Sequence, residues 1–336
     1  MDVQGPTEIA EVSPVEVGAP DDALILAASW EERCLGLGEK LRRYRCQTVI
    51  LTVYDGKSKL RERHIEVLRP VLRSVGHLEE LPALHSNPLP NVRATIRLLR
   101  TIAGVRCPRL TIDVSTFTRK HLLQLLHGLD YVGMLKACQL IYTEPQDYHT
   151  EDDEPVAKGI SAIEAIATFA GSNRPSRQTL LVVFLGYEGR RTLSLWENLE
   201  PNATVAVIPE PPYHDEWRGR TEMQNRYLLS CLPKENVYRS HSLRPADTDR
   251  LLTELLQSGR YPLDRFNYRI APLGTRAQLL GVYRFWRCHP ELATMVYARP
   301  VRYREEQSGF PAARTWVLDR PSEWPTGQLR AGSPGA

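Results

Sequence analysis

The sequence contains no stretch near the roughly 20 consecutive apolar residues that a membrane-spanning helix requires. Its opening, MDVQGPTEIAEVSPVEVGAPDD, lacks both the basic start and the apolar core of an export signal, so a cytoplasmic protein with no membrane partner is expected. Six cysteines (Cys34, Cys46, Cys107, Cys138, Cys231 and Cys288) form no CxxC pair, and the nine histidines show neither metal spacing nor paired recurrence. That pattern supplies no zinc site and no disulfide framework, and the expectation is no metal and no cofactor. GxGxxG, the P-loop and GxSxG are all missing, which removes the usual signatures of dinucleotide, NTPase and α/β-hydrolase chemistry. Charge of one sign is scarce as well: 43 basic against 40 acidic residues leave a net +3, too little to argue for long nucleic acid by bulk electrostatics. Lysine is rare, with 36 of the 43 basic residues being Arg. A GC-rich coding sequence explains this and the 25 prolines together; the functional alternative is anion recognition by bidentate guanidinium groups.

What the chain does have is ordinary globular composition over 336 residues, with 42% hydrophobic and 25% charged residues. That length suggests two domains, each able to bury a core. Residues 1–21 read as a loose leader and 306–336 as a C-terminal tail. Between them short apolar runs alternate with helical patterns. ALILAAS (Ala23–Ser29), TVILTVY (Thr48–Tyr54), LTIDV (Leu110–Val114) and KACQLIYTE (Lys136–Glu144) read as strands. KLRERHIEVLRPVLRSV (Lys59–Val75), NVRATIRLLRTIAG (Asn91–Gly104) and TRKHLLQLLHGL (Thr118–Leu129) read as helices. Such alternation predicts an α/β fold with a mainly parallel sheet.

The alternation then restarts. Small–aromatic–Glu–x–Arg at Ser29-Trp30-Glu31-Glu32-Arg33 returns as Gly186-Tyr187-Glu188-Gly189-Arg190, offset by 157. Thr118-Arg119 followed by Leu122-Leu123 returns as Thr275-Arg276 with Leu279-Leu280, again at 157. The second strands match at 156, and Tyr142-x-x-Pro145-x-x-Tyr148 matches Tyr297-x-x-Pro300-x-x-Tyr303 at 155. Four correspondences in one order define an internal duplication, too long for a solenoid repeat. The expected organisation is a first unit at 22–149, a connection at 150–176 and a second unit at 177–305, related by a pseudo-two-fold axis.

Each matched motif falls at the C-terminal end of a predicted strand, the edge at which open α/β sheets bind ligands. Helix starts there offer unpaired N–H groups to an anion. Thr118 and Thr275 would add hydroxyls, Arg119 and Arg276 guanidinium forks, and Gly274 room for close approach. Each has a plain structural alternative. The threonines serve equally as N-caps, and Glu31/Arg33 and Glu188/Arg190 as ion pairs of a first helical turn. Trp30 and Tyr187 serve as packing rather than base-stacking surfaces. His121 beside Arg119 suits acid–base chemistry, although its counterpart is Gln278. His214-Asp215-Glu216 is a metal or hydrolytic candidate, with a solvated loop as the alternative.

Asp113-Val114-Ser115-Thr116-Phe117-Thr118-Arg119, following a strand and opening a helix, resembles the signature of CARF domains, the Rossmann-like sensors of CRISPR-associated proteins. Leu273-Gly274-Thr275-Arg276 is similar to the Gly-Thr-Lys element of that family, with Arg in place of Lys. Two fused units resemble a SAVED-type arrangement. The resemblance implies two duplicated Rossmann-like units binding a cyclic oligonucleotide or other nucleotide-like ligand between them, in prokaryotic defence. By position, the ligand contacts it implies are Ser29, Asp113, Ser115, Thr116, Thr118 and Arg119 in the first half. In the second half they are Gly186, Gly274, Thr275 and Arg276. The signature Asp and Ser are replaced by Ile270 and Pro272 there. No length remains for an attached effector, so a separate effector protein is the expected partner. The alternatives are a metal-independent nucleotide phosphodiesterase of ring-nuclease type, and a non-catalytic scaffold.

Overall fold

A computed structural model describes residues 5–16, 18–147, 157–187, 189–303 and 312–325. These fall into two compact units. One is built from the described residues of 5–147 together with 312–323, the other from those of 157–303 together with 324–325.

In the first unit the long strands are β2 (Asp21–Ala27), β3 (Cys46–Tyr54), β4 (His77–Ala83), β5 (Leu110–Asp113) and β6 (Cys138–Pro145). They pair in parallel in the order β4-β3-β2-β5-β6. Every residue of β2, β5 and β6 is buried. That is why their sequences read as unbroken apolar runs rather than alternating ones: helices cover both faces of a parallel sheet. The helices are α1 (Lys59–Val75), α2 (Leu89–Ala103) and α3 (Arg119–Tyr131). The Ser58 side chain accepts from the Arg61 N–H to start α1, and Thr118 accepts from the His121 N–H to start α3. Ile65, Leu68 and Leu72 on one stripe of α1 join Leu24, Leu26, Val49, Leu51 and Ile141 in the core.

The second unit repeats this plan. Its parallel strands are β8 (Gln178–Phe184), β9 (Ala203–Pro209), β10 (Val237–Ser240), β11 (Phe266–Pro272) and β12 (Ala293–Tyr303), in the order β10-β9-β8-β11-β12. Its helices are α4 (Gly189–Leu199), the short α5 (Arg220–Gln224) and α6 (Arg226–Ser230), α7 (Pro245–Gln257) and α8 (Arg276–Cys288). Counted from β2 and β8, the first parallel strand of each unit, both sheets run 3-2-1-4-5 and then add a sixth, antiparallel strand. The fold is therefore α/β with two Rossmann-like units and mainly parallel sheets, as the alternation and its restart predict.

The sixth strands come from segments outside the expected unit boundaries. In the first unit the antiparallel partner of β6 is β13 (Ala312–Asp319), from the segment read as a tail. In the second, β12 pairs with β7 (Ala157–Ala165), from the segment read as a connection. Each sheet thus takes as its sixth strand the segment that follows the fifth strand of the other sheet, a reciprocal exchange at an offset of 155 between residues 157 and 312. The leader also departs from expectation. Thr7–Ile9 (β1) pairs with β13, and Val12 is buried. The physical reason is common to all three: an uncovered β6, β12 or β13 would leave a row of unpaired N–H and C=O groups.

Candidate switch-point site

Strand order reverses between β2 and β5 in the first sheet and between β8 and β11 in the second. Ligands of doubly wound sheets bind outside the carboxyl ends of the strands at such a reversal. Two of the recurring motifs of each unit leave these four strand ends. Ala28–Arg33 follows β2 and Val114–Thr118 follows β5; Leu185–Arg190 follows β8 and Leu273–Thr275 follows β11.

In the first unit the two loops are tied together, with Thr116 Oγ1 donating to the Ala27 carbonyl at 2.6 Å. Asp113 and Ser115 are buried and satisfied internally. The Ser115 N–H (3.0 Å) and Oγ both donate to Asp113 Oδ1, and Ser115 Oγ accepts from the Thr143 N–H at 2.8 Å. Ser29 is buried too: its Oγ accepts from the Glu31 N–H at 3.1 Å and its carbonyl from His64 Nδ1 at 2.9 Å. Arg33 points inward, its Nε donating to Glu31 Oε2 at 2.5 Å and its Nη1 to Tyr142 Oη at 3.2 Å. At 4% exposure, Arg33 is a structural ion-pair member rather than a surface fork. Trp30 is half-buried.

At the α3 start, the Thr118 N–H donates to Tyr54 Oη at 3.0 Å, and Tyr54 Oη lies 2.9 Å from His121 Nδ1. Burial, with a lesser contribution from His85, pushes the His121 imidazole down to about 3, so it is neutral. Its Nε2 has no hydrogen-bond partner among the described residues. A fully buried neutral ring with one nitrogen engaged by tyrosine is not placed for acid–base exchange with a ligand. Arg119 is half-buried, and Lys120 Nζ donates to the Ser86 carbonyl at 2.9 Å.

The second unit solves the same positions differently. Thr275 caps α8 in a reciprocal box: its Oγ1 accepts from the Gln278 N–H, and Gln278 Oε1 accepts from the Thr275 N–H at 3.0 Å. Thr275 Oγ1 also donates to the Ser242 carbonyl at 2.8 Å. Gly274 is required by this box, because a Cβ there would stand 2.1 Å from Gln278 Oε1. At Gly186 a Cβ would stand 2.7 Å from the Leu273 carbonyl oxygen, so this glycine lets the loop after β8 lie against the one after β11. Tyr187 meets Trp217 edge-on at 5.5 Å, and the Arg220 guanidinium covers its face at 5.1 Å. Arg276 is half-buried. Glu188 and Tyr148 lie outside the described residues.

Arg190, the sequence counterpart of Arg33, is exposed. The buried counterpart is its neighbour Arg191, which donates through Nε to the Ala298 carbonyl at 2.9 Å. Arg191 lies over the Tyr297 ring at 5.2 Å, as Arg33 lies over Tyr142 at 5.7 Å. The one-residue slip has a local cause: Glu32–Cys34 is a 3-10 turn, whereas Gly189 opens a regular α-helix. The Arg190-Arg191 dipeptide was the available signal.

All six cysteines are free thiols. Burial pushes Cys34, beside this loop, up to about 12, which keeps it protonated and unreactive. His214 packs on Trp217 at 4.5 Å and Asp215 pairs with Arg218 at 3.1 Å. Among the described residues no group of three His, Cys, Asp or Glu is placed to hold a metal ion.

No protein-family model matches the chain, and no curated protein is significantly similar to it. Among solved structures it is similar to a protein of unknown function from Pseudomonas aeruginosa PAO1, at 11% identity and a TM-score of 0.25, over 83% of this chain and 93% of that one. A candidate universal stress protein from Pseudomonas aeruginosa UCBPP-PA14 matches at the same identity and TM-score, over 83% and 94%. Likeness at that level adds nothing about the site.

Proposed function

We propose that the switch-point edges bind a phosphate-bearing, nucleotide-like ligand, and that the protein is a sensor or regulatory component that signals to a separate effector chain. The observation that carries this reading is positional: two of the recurring motifs of each unit leave the two adjacent strands between which strand order reverses. Helix α3 and helix α8 both begin there with a Thr cap followed by Arg119 or Arg276, so N–H groups and a guanidinium share one helix end. The CARF-like resemblance of residues 113–119 points the same way. On this reading Arg119 and Arg276 are the cations that neutralise the phosphates, and Trp30 is the stacking surface. Asp113, Ser115, Glu31 and Arg33 act instead as the frame that holds the strand-end loops.

The test is a thermal-shift panel of linear and cyclic oligonucleotides, mononucleotides and inorganic phosphate, with mass spectrometry of any copurified small molecule. A ligand selective for the native state at 100 times its Kd stabilises by about 2.7 kcal/mol, a readily measured rise in Tm. Loss of that rise in Arg119→Ala or Arg276→Ala, with the unliganded Tm unchanged, supports binding. A panel without any shift sinks it. A drop in unliganded Tm with no effect on any ligand would make these residues scaffold.

A further inference from the structure

Contrary to the expectation that no histidine recurs in pairs, His85 and His241 stand 156 residues apart, in register with the duplication. His85 lies two residues beyond β4 and His241 one residue beyond β10, each at the carboxyl end of the third strand of its sheet. Their hydrogen bonds put them in opposite states. His85 Nδ1 lies 2.7 Å from Asp55 Oδ1, which also accepts the His85 backbone N–H at 2.8 Å. A carboxylate can only accept, so Nδ1 carries the proton and Nε2 presents a lone pair. The His85 side chain is 41% exposed, and its Nε2 makes no hydrogen bond to the described residues. His241 is the reverse. Its Nδ1 accepts from the Leu243 N–H at 3.0 Å, so the proton sits on Nε2 and no lone pair is offered. Burial, then Arg244, hold its imidazole below the usual value.

His85 is also built into the ligand-prone edge. Its ring lies on that of Tyr54, with centroids 4.5 Å apart, and Tyr54 Oη accepts from the Thr118 N–H at the start of α3. Lys120 Nζ is held on the carbonyl of Ser86, the next residue. Asp55 is itself fixed. Partial burial would raise its carboxyl, but the two hydrogen bonds from His85 bring it below the usual range. The arrangement is a carboxylate-oriented imidazole with a free Nε2, the geometry of a general base.

We propose that His85 is the general base of a metal-independent phosphoester hydrolysis at the first unit, acting on the nucleotide-like ligand and resting on the binding reading above. His85 Nε2 takes a proton from a water as its oxygen bonds to phosphorus. The P–O ester bond breaks, and the departing oxygen takes a proton from solvent. One water is consumed, giving an alcohol and a phosphate monoester, and the imidazolium then returns its proton to solvent. Asp55 is a positioning residue. The second unit lacks this base, so the activity belongs to the first unit alone.

The experiment uses the full chain, EDTA, and two probes: bis(p-nitrophenyl) phosphate, and whichever oligonucleotide gives the largest thermal shift. The expected result is hydrolysis that persists in EDTA, falls at least 100-fold in His85→Gln, and is unchanged in His241→Gln. His85→Gln keeps the ligand-induced thermal shift, because only the base is lost. Among the described residues His85 is faced by Asp55, Tyr54, His121 and Lys120. Asp55 fixes the ring through Nδ1, so Asp55→Asn lowers kcat on bis(p-nitrophenyl) phosphate and leaves its KM unchanged. A thermal shift without product, equal loss in His85→Gln and His241→Gln, or product abolished by EDTA overturns the general base while leaving the binding reading intact. Absence of any thermal shift removes the binding reading and this inference with it.

Discussion

Substituting Arg33, Arg190 and Arg191 one at a time separates two assignments of the second-unit motif. Sequence register makes Arg190 the partner of Arg33; packing makes it Arg191. In Arg33→Ala, the Glu31 carboxylate, whose side chain is 17% exposed, loses its partner. Breaking a buried pair costs about 3–5 kcal/mol, and the residual exposure of Glu31 places this case near 3. Arg191→Ala removes hydrogen bonds to the Ala298 carbonyl and the contact with the Tyr297 face. Hydrogen bonds from a charged donor contribute about 1.5–3 kcal/mol and a cation over a ring about 0.5–2, so a similar loss of about 3 is expected. Arg190→Ala touches an exposed side chain and should stay within about 0.5 kcal/mol. At about 2–4 °C per kcal/mol for units of this size, Arg33→Ala and Arg191→Ala lower the transition of their own unit by about 6–12 °C, and Arg190→Ala by under about 2 °C. Differential scanning calorimetry with urea midpoints reads both. Equal losses for Arg190→Ala and Arg191→Ala would refute the packing argument.

Three further outcomes follow from the same geometry. The folded His121 titrates at about 3, well below the unfolded imidazole, so between about 6.5 and 3 the unfolded state binds the extra proton and stability rises with pH. Wild type should lose up to about 1.4 kcal/mol per pH unit on acidification through that window, and His121→Gln, the residue of the second unit, should flatten this dependence in urea titrations. Truncation before Ala312 removes β13, uncovers the β6 edge and strips Glu144 of Arg314 and Trp316. That chain should lose the first-unit transition in calorimetry and aggregate, and an unchanged melt would contradict the strand assignment. Gly186→Ala forces a Cβ against the Leu273 carbonyl and should cost about 1–3 kcal/mol in urea unfolding without any ligand present; a neutral result would return Gly186 to a ligand role.

The parallel core was legible because burial on both faces prints itself as short apolar runs such as LILA and LLVVF, separated by helices with caps at Ser58, Thr118 and Thr275. The duplication was legible because the same strand-end loops must be built twice. The sixth strands were not. Residues 157–165 and 312–319 carry no signal naming their partner, since β6 and β12 both present an edge that either could cover. The recurrence of His85 and His241, by contrast, was legible: they stand 156 residues apart, the offset of the duplication itself. Their opposite hydrogen-bond states were not, because these are set by Asp55 in one unit and by the Leu243 N–H in the other.

Recurrence in a duplicated chain reports folding and function together, and hydrogen-bond capacity separates the two. Asp113, Ser115, Glu31 and Arg33 are conspicuous in sequence, yet their polar atoms are committed to one another and to Tyr142 and Thr143. They carry the cost of bending the chain sharply at a strand end, and that need exists with or without a ligand. Thr118 and Thr275 are committed to helix caps in the same way. By contrast, His85 keeps a lone pair in reserve and is held in a fixed orientation by a carboxylate that does little else. Holding it so orders an exposed side chain for little gain in stability, since exposed pairs of this kind contribute only about 0–1 kcal/mol. A constraint that stability does not repay is where chemistry is to be sought. The difference between His85 and His241 therefore says more about what the first unit does than the motifs the two halves share.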